Sequence, residues 1–423
     1  MAQRNAANSP MRTTLLILGI FGVGCGGSKD PAVPDASKSP DSQISQCQAV
    51  GTIGSFYRRT VNPRIVAGHQ SYTDGMIDVG ISDPDLLWDE GAQAWNLYFH
   101  GPHAMSFSSP ITQMVRHATS PDLAAWSIDD APSLVASADT TAWDHLNTET
   151  PTVVMNPDAP ADRRYLLLYS GATRAFPFPG YGFPEYNIGA AFSADGKTFT
   201  RITAAESPHA KEGLVLTGAD AYPGSTGAIV ADPELAYVGG VYHLWFSSFA
   251  CAGTMCETVT AYGISHATST DGIHWSVLAA PVRTLLRASA DLKSGGAQPS
   301  VIYDAVHCRW EMWMTSDLSG ETDTQPIVFN NMAGVWHAVS GDGVVWNISF
   351  FTVRDLVWTK TEDGEHLGLL TGADVAAKGT GRYMLYGAFD DVNVPSGFFL
   401  PDRSTQGFEP GVMTLDLATR DAP

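Results

Sequence analysis

"AYGISHATSTDGIHW", Ala261 to Trp275, reads as two strands around a tight turn. Asp271-Gly272 is a two-residue hairpin signal, because both central residues of a type I′ turn need φ > 0, which Gly adopts freely and Asp more readily than most. The stretch recurs. "MVRHATSPDLAAW" ends at Trp126, "IGAAFSADGKTF" at Phe199 and "GVWHAVSGDGVVW" at Trp346, so with Trp275 the closing aromatics fall 73, 76 and 71 residues apart. A steady period of that length marks a supersecondary unit repeated in space.

Working outward, an aromatic strand precedes each hairpin: "WNLYFHG" from Trp95, "YLLLYSG" from Tyr165, "YHLWFSS" from Tyr242 and "WEMWMTS" from Trp310, with a fifth, "YMLYGAF", from Tyr383. Ahead of those stands a Pro-led apolar run: "DPDLLW" at Pro84, "TPTVVM" at Pro151, "DPELAY" at Pro233 and "QPSVIY" at Pro299. Each unit therefore offers three or four strands in meander order. Small antiparallel sheets repeated about an axis make a β-propeller, which protects its edges by radial repetition. The sequence predicts an all-β, five-bladed β-propeller whose closing Trp or Phe packs between blades. The fifth inner strand is expected near Glu365 to Asp374, and "PRIVAG" or "GVMTLDL" is expected to complete the fifth blade.

The Pro-led strands are expected to be innermost and to meet at the channel. Residues on either side of each Pro are at i and i+2, on one face of a strand, and all are polar: Asp83 and Asp85, Thr150 and Thr152, Asp232 and Glu234, Gln298 and Ser300. A polar ring with carboxylates from the first and third blades reads as an axial ligand pocket; the structural alternative is that Asp83 and Asp232 cap strand entries. Candidate catalytic carboxylates are Asp83, Glu149, Asp232 and Glu234, and candidate substrate-binding residues are Asp85, Thr150 and Gln298. His117, His266 and His337 share one slot of the repeat. Equivalent slots of a ring lie far apart unless they face the axis, so these are read as half-buried strand histidines and not as a metal site.

The formal net charge of −20 over 423 residues argues against nucleic acid, whose binders need a basic stripe. With 11 Trp and 14 Tyr the chain is rich in flat amphipathic rings, which suit both sheets and sugar-binding clefts. "MRTTLLILGIFGVGC" has a basic start, an apolar run and small residues up to Cys25, the form of a bacterial lipoprotein signal, with an ordinary secretory signal as the alternative. The expected organisation is a leader over 1–25 ending at a lipidated Cys25, a Ser/Pro/Asp/Gly-rich tether over 26–46, and a single propeller over 47–423. The expected location is the bacterial cell envelope, lipid-anchored at the outer membrane, or secreted, as a monomer. Cys251 and Cys256 flank a short loop and are the expected disulfide, leaving Cys47 with Cys308.

The Asp-Pro inner strands, the "GxYxLxxS"-like second strands and the "AtSxDGxxW" hairpins resemble the five-bladed propeller of glycoside hydrolase family 43 and its relatives, including the β-fructosidase-type enzymes of family 32, over roughly residues 53–417. The resemblance implies a carbohydrate partner and hydrolysis by two carboxylates, with a general-base Asp before Pro in the first blade, a pKa-tuning Asp in the next and a general-acid Glu in the third. Asp83 in "ISDPDLLW" matches the base. The second blade has Thr150 at the matching place with Glu149 beside it, and the third has Ala231 where the family Glu stands, with Asp232 and Glu234 nearby. Inversion is expected, with Asp83 as base and Glu149, Asp232 or Glu234 as acid. Some relatives hold a cation near the axis; no metal or other cofactor is assigned, though an axial Ca2+ is compatible with the resemblance. A six-bladed sialidase-like propeller fits less well, since its Gly falls two places after Asp and its substrate needs an arginine cluster. The competing function is a non-catalytic carbohydrate-binding or structural propeller lipoprotein.

Overall fold

Each aromatic strand of the repeat is the second strand of an antiparallel sheet, flanked by the Pro-led strand and the hairpin strand. The computed structural model describes residues 57–58, 65–66, 72–106, 111–172, 185–225, 227–252, 258–278, 297–315, 335–348, 356–358, 367–379, 381–390 and 413–420. The fold is all-β, in a β-propeller arrangement. Four blades are meanders of consecutive strands. Their inner strands are Ser82–Asp89, Asn147–Met155, Ile229–Val238 and Ala297–Asp304, and their second strands are Ala94–His100, Tyr165–Ala172, Val241–Ala252 and Arg309–Thr315. A further sheet joins Leu367–Lys378, Gly381–Asp390 and Met413–Arg420 to Tyr57–Arg58, with Ile65–Val66 also paired to Met413–Arg420. Both stretches expected to complete that sheet contribute to it. Each inner strand packs beside the next, and Leu367–Lys378 lies against both Ala297–Asp304 and Ser82–Asp89. Lys378 Nζ sits 3.3 Å from the centroid of Trp88, a cation–π contact between the last and first of these strands.

The hairpins differ from the expected type I′ turn. Gly272 has φ +77° while Asp271 does not enter the positive region, and six residues separate strand Thr258–Ser269 from Ser276–Val277. Side chains hold the loop: Ser269 Oγ accepts the N–H groups of Asp271 and Gly272 (3.2 and 2.9 Å), and Asp271 Oδ1 accepts those of Ile273 and His274 (2.9 and 2.8 Å). The same pattern repeats at Ser193/Asp195 and Ser340/Asp342. In the first blade Leu123 takes the glycine place at φ +65°. Its αL cost of about 1–2 kcal/mol is offset by burial beside Leu97 and Trp95, where a leucine gains about 1.5–3 kcal/mol.

These loops latch neighbouring blades. Tyr98 Oη donates to the Gly196 carbonyl (2.7 Å) and Trp245 Nε1 to that of Gly343 (3.1 Å), from the first to the second blade and from the third to the fourth. Between the second and third, a Cβ on Gly272 would lie 2.6 Å from Leu166 Cδ2. Phe199 packs edge-on against Tyr98 and Trp346 against Trp245. The repeated histidines are buried in the blades: His117 bonds Asp129 and Asn96, His266 stacks on Trp245 at 4.6 Å, and His337 lies tilted on Trp313.

Gln46–Pro423 forms one compact unit. Cys308 is disulfide-bonded; Cys25, Cys47, Cys256, the expected leader and the tether lie outside the described residues, so the expected pairings do too. Among the described residues no helix is long and apolar enough to cross a membrane.

Candidate functional site

Every inner strand breaks its register at a matching place: Ser82/Asp85, Glu149/Thr152, Ala231/Glu234, Ala297/Ser300 and Thr371/Asp374, with a second break at Leu367/Leu369 in the last. Two residues there oppose one on the second strand, which is a β-bulge. The first bulge residue has positive φ in all five: Asp83 (50°), Thr150 (48°), Asp232 (50°), Gln298 (50°) and Gly372 (50°). The second is Pro in four strands, tolerated because a bulge leaves one N–H outside the ladder, and Ala373 in the fifth. Non-glycine residues held at φ near +50° cost of order 1–3 kcal/mol each. The bulge re-aims the side chain, so the residues flanking each Pro do not share one face at matched depth as the alternation predicts. They separate into two rings.

The inner ring is a belt between blades. Asp85 Oδ2 accepts the N–H of Val153 (3.0 Å), Thr152 Oγ1 that of Leu235 (3.0 Å), Glu234 Oε1 that of Val301 (2.9 Å), Ser300 Oγ that of Val375 (2.8 Å) and Asp374 Oδ2 that of Leu86 (2.7 Å). Each acceptor bonds the next inner strand, and the fifth bond returns to the first. All five side chains are buried. Burial first, and then the neighbouring Asp374, hold the Asp85 and Glu234 carboxyls well above the usual range; burial pushes Asp374 up to about 6.

Asp85, Glu234 and Asp374 lie within 4.8 Å of one another, an all-oxygen set of the kind hard cations take. Each already accepts a backbone N–H of a neighbouring strand, and Asp374 uses both oxygens, the second for the Ser300 hydroxyl at 2.7 Å. Inter-blade bonding accounts for the cluster, and no cation is assigned to it.

The outer ring lines an axial pocket: Asp83, Thr150, Asp232 and Gln298, each with the proline beside it, together with Gly372, Ala373, Glu234 and Asp374. Asp85 is not among the lining residues. Asp83 and Asp232 are half-buried, and burial pushes their carboxyls up to about 6 and about 7. The Glu149 charge raises both further, and that of Asp83 raises Asp232; His100 pulls Asp83 back down. Three of the four carboxylates expected from sequence thus act on one another electrostatically, but of these only Asp83 and Asp232 line the pocket; Glu149 is not among the lining residues, and Glu234 lines it while belonging to the belt.

Each mouth carboxylate has a hydroxyl donor. Ser82 Oγ donates to Asp83 Oδ2 (2.7 Å), Tyr186 bonds Glu149, and Ser247 bonds Asp232. Tyr186 is buried and itself accepts from Asn147 Nδ2 (3.3 Å). Ser170 and Ser247, on the second strands, accept the N–H groups of Asp232 (3.0 Å) and Gln298 (2.9 Å), fixing the next bulge. Gln298 Oε1 accepts from Gly372 N (3.2 Å). Asp83 packs so closely on Gly372 that a Cβ there would lie 2.7 Å from Asp83 Oδ1. Sequence reasoning missed Ser82, His100, Tyr186, Ser247 and Asp374. The serines had a signal: both bonded serines end the "YxLxxS" strand.

No protein-family model matches the chain, and no curated protein matches it in sequence. Among solved structures it is similar in fold to BT0996 in its RGII complex, with a TM-score of 0.55 and 12% identity over 87% of this chain and 92% of that one. A glycoside hydrolase gives a TM-score of 0.53 and 11% identity over 87% and 92%. A glycosyl hydrolase from Bacteroides ovatus gives 0.51 and 15% over 90% and 95%.

Proposed function

We propose that this chain is a glycoside hydrolase that cleaves a poly- or oligosaccharide at the axial mouth with two carboxylates and inversion. The observation that carries the reading is the meeting of Asp83 and Asp232, from non-adjacent blades, at one polar pocket with Glu149 acting electrostatically on both. Asp83, the more acidic, is the general base for water, and Asp232 is the general acid. Burial keeps their pKa values high, and the Glu149 charge adds to it. Opposed carboxylates about 6.5–9.5 Å apart leave room for the attacking water of an inverting enzyme, and placement two blades apart supports that spacing. The base must be ionised and the acid protonated, so kcat/KM should be bell-shaped with limbs near 6 and 7.

The sheet joining the two ends supplies a fifth blade in this reading. Its support is the fifth bulge at Gly372 and the fifth belt acceptor, Asp374. The leader places the protein at the cell envelope, lipid-anchored through Cys25, which mass spectrometry of the mature N-terminus tests. One observation favours a binding propeller without catalysis: the family acid position is the buried, apolar Ala231. Screening a glycan panel for binding and then for hydrolysis separates the two. Proton NMR of the first product formed should show the inverted anomer; the retained anomer overturns the mechanism, and binding without turnover overturns the enzyme.

A further inference from the structure

At the slot paired with the residue before each bulge the second strands carry His100, Ser170, Ser247, Thr315 and Gly387, so blade one alone places an imidazole there. The second-strand residue paired with the position before the bulge is Ser170 in the second blade and Ser247 in the third, and each accepts the N–H of the next bulge residue. In the first blade that slot holds His100, paired with Ser82. Its ring turns to its own inner strand: Nδ1 is 3.2 Å from Ser82 Oγ, and Nε2 is 2.6 Å from Gln113 Oε1. A titratable ring at a slot that elsewhere carries serine, threonine or glycine is a departure of the kind that marks function.

We infer that Ser82 and His100 form a positioning relay behind Asp83, with the imidazole, oriented by Gln113, fixing the Ser82 hydroxyl so that its proton points at Asp83 Oδ2. Donor accounting sets the tautomer. Ser82 has one hydroxyl proton, and at 2.7 Å from Asp83 Oδ2 it is committed to that carboxylate. The contact to His100 must then be donated by the ring, so Nδ1 carries a hydrogen. Gln113 determines the rest. With its carbonyl oxygen toward Nε2 the ring is doubly protonated; with the amide reversed it is the neutral Nδ1–H form. In both cases Ser82 is held by a donor on one side and an acceptor on the other, and Asp83 keeps one oxygen bonded and one directed elsewhere.

The charged groups acting on Asp83 are His100 from the second strand and Glu149 from the next inner strand; Asp232, on the third blade's inner strand, feels the Asp83 charge. The two carboxylates oppose ionisation of the mouth, and His100 alone of the three favours it. His100 is 7% exposed and lines no part of the pocket, which excludes it from direct contact with a glycan there and leaves it acting through Ser82.

The inference rests on Asp83 being the base, so its test reads Asp83 directly as well as turnover. Carbon-13 NMR titration of the Asp83 carboxyl is recorded in the wild type, Ser82→Ala, Ser82→Thr and His100→Gln, alongside pH profiles of kcat/KM. Ser82→Ala and His100→Gln should raise the Asp83 titration midpoint, move the acid limb to higher pH by the same amount, and lower kcat roughly 10-fold or more with KM little changed. Ser82→Thr, which restores the hydroxyl, should restore both. An unmoved Asp83 midpoint in folded Ser82→Ala and His100→Gln overturns the relay. A moved midpoint in a protein that hydrolyses no glycoside upholds the relay and removes the hydrolase reading instead.

Discussion

Two rings of side chains, two residues apart on the same five strands, do different work. The mouth ring is Asp83, Thr150, Asp232, Gln298 and Gly372; the belt is Asp85, Thr152, Glu234, Ser300 and Asp374. Both contain carboxylates with raised pKa values, so neither residue type nor pKa separates them. Their partners do. Each belt side chain accepts a backbone N–H of the neighbouring strand, a contact that hydroxyl and carboxylate make equally well, which is why Thr152 and Ser300 substitute for acids there. Asp83 and Asp232 are each bonded by a single hydroxyl and line the pocket, where only an ionisable group can move a proton.

The largest expected effect is on turnover at the mouth. Asp232→Asn should lower kcat/KM about 10²–10⁴-fold on a natural glycan, the contribution of a general acid, and much less on an aryl glycoside whose leaving group needs no proton; initial rates on both substrates check this. Equal losses on the two would remove Asp232 from the acid role. In the belt, Asp374→Ala leaves the Leu86 N–H and the Ser300 hydroxyl without their acceptor. Two buried groups left unpaired at about 1–3 kcal/mol each should lower stability by roughly 2–6 kcal/mol, read from denaturant unfolding.

A pH series sharpens the contrast. The Asp232 carboxyl rises from 3.8 to about 7 on folding, so the folded state holds its proton more tightly. That contribution is complete below pH 4 and is lost as pH rises through 7. Asp232→Asn should therefore match the wild type in stability at pH 4 and exceed it by about 4 kcal/mol at pH 8; a constant difference would contradict the burial of this group. The smallest effect on stability is expected within the mouth ring, where its first and last members meet. Gly372→Ala places a side chain at φ +50°, with its Cβ 2.7 Å from Asp83 Oδ1, and should cost about 1–2 kcal/mol while displacing the base.

Much of this was legible from particular residues. The Pro-led strands and their polar flanks announced the channel, and the spacing of Trp126, Phe199, Trp275 and Trp346 announced the blades. The two rings were not legible, because positive φ before proline runs against the local preference of that position, and strand alternation assigns both flanks to one face. Asp374 escaped notice because the last copy replaces the polar-Pro pair with Gly372-Ala373. Glu234 looked catalytic and Asp85 substrate-binding because their N–H partners lie in another blade, some 70 residues away in sequence. The hairpin was misread as type I′ because the Ser269 and Asp271 side chains, not two positive φ values, shape it. His100 carried a signal that only alignment of the strands exposes: a histidine where its counterparts are Ser170, Ser247, Thr315 and Gly387.

Thermal unfolding and hydrolysis measured on the same two proteins, Asp83→Asn and Glu234→Ala, test the division most directly. The account predicts that Asp83→Asn unfolds at or above the wild-type Tm and hydrolyses nothing, while Glu234→Ala, which strips the acceptor from Val301 N–H, unfolds earlier but turns over near the wild-type rate at temperatures where it is folded. A folded, inactive Glu234→Ala beside an active Asp83→Asn would exchange the roles of the two rings and contradict it.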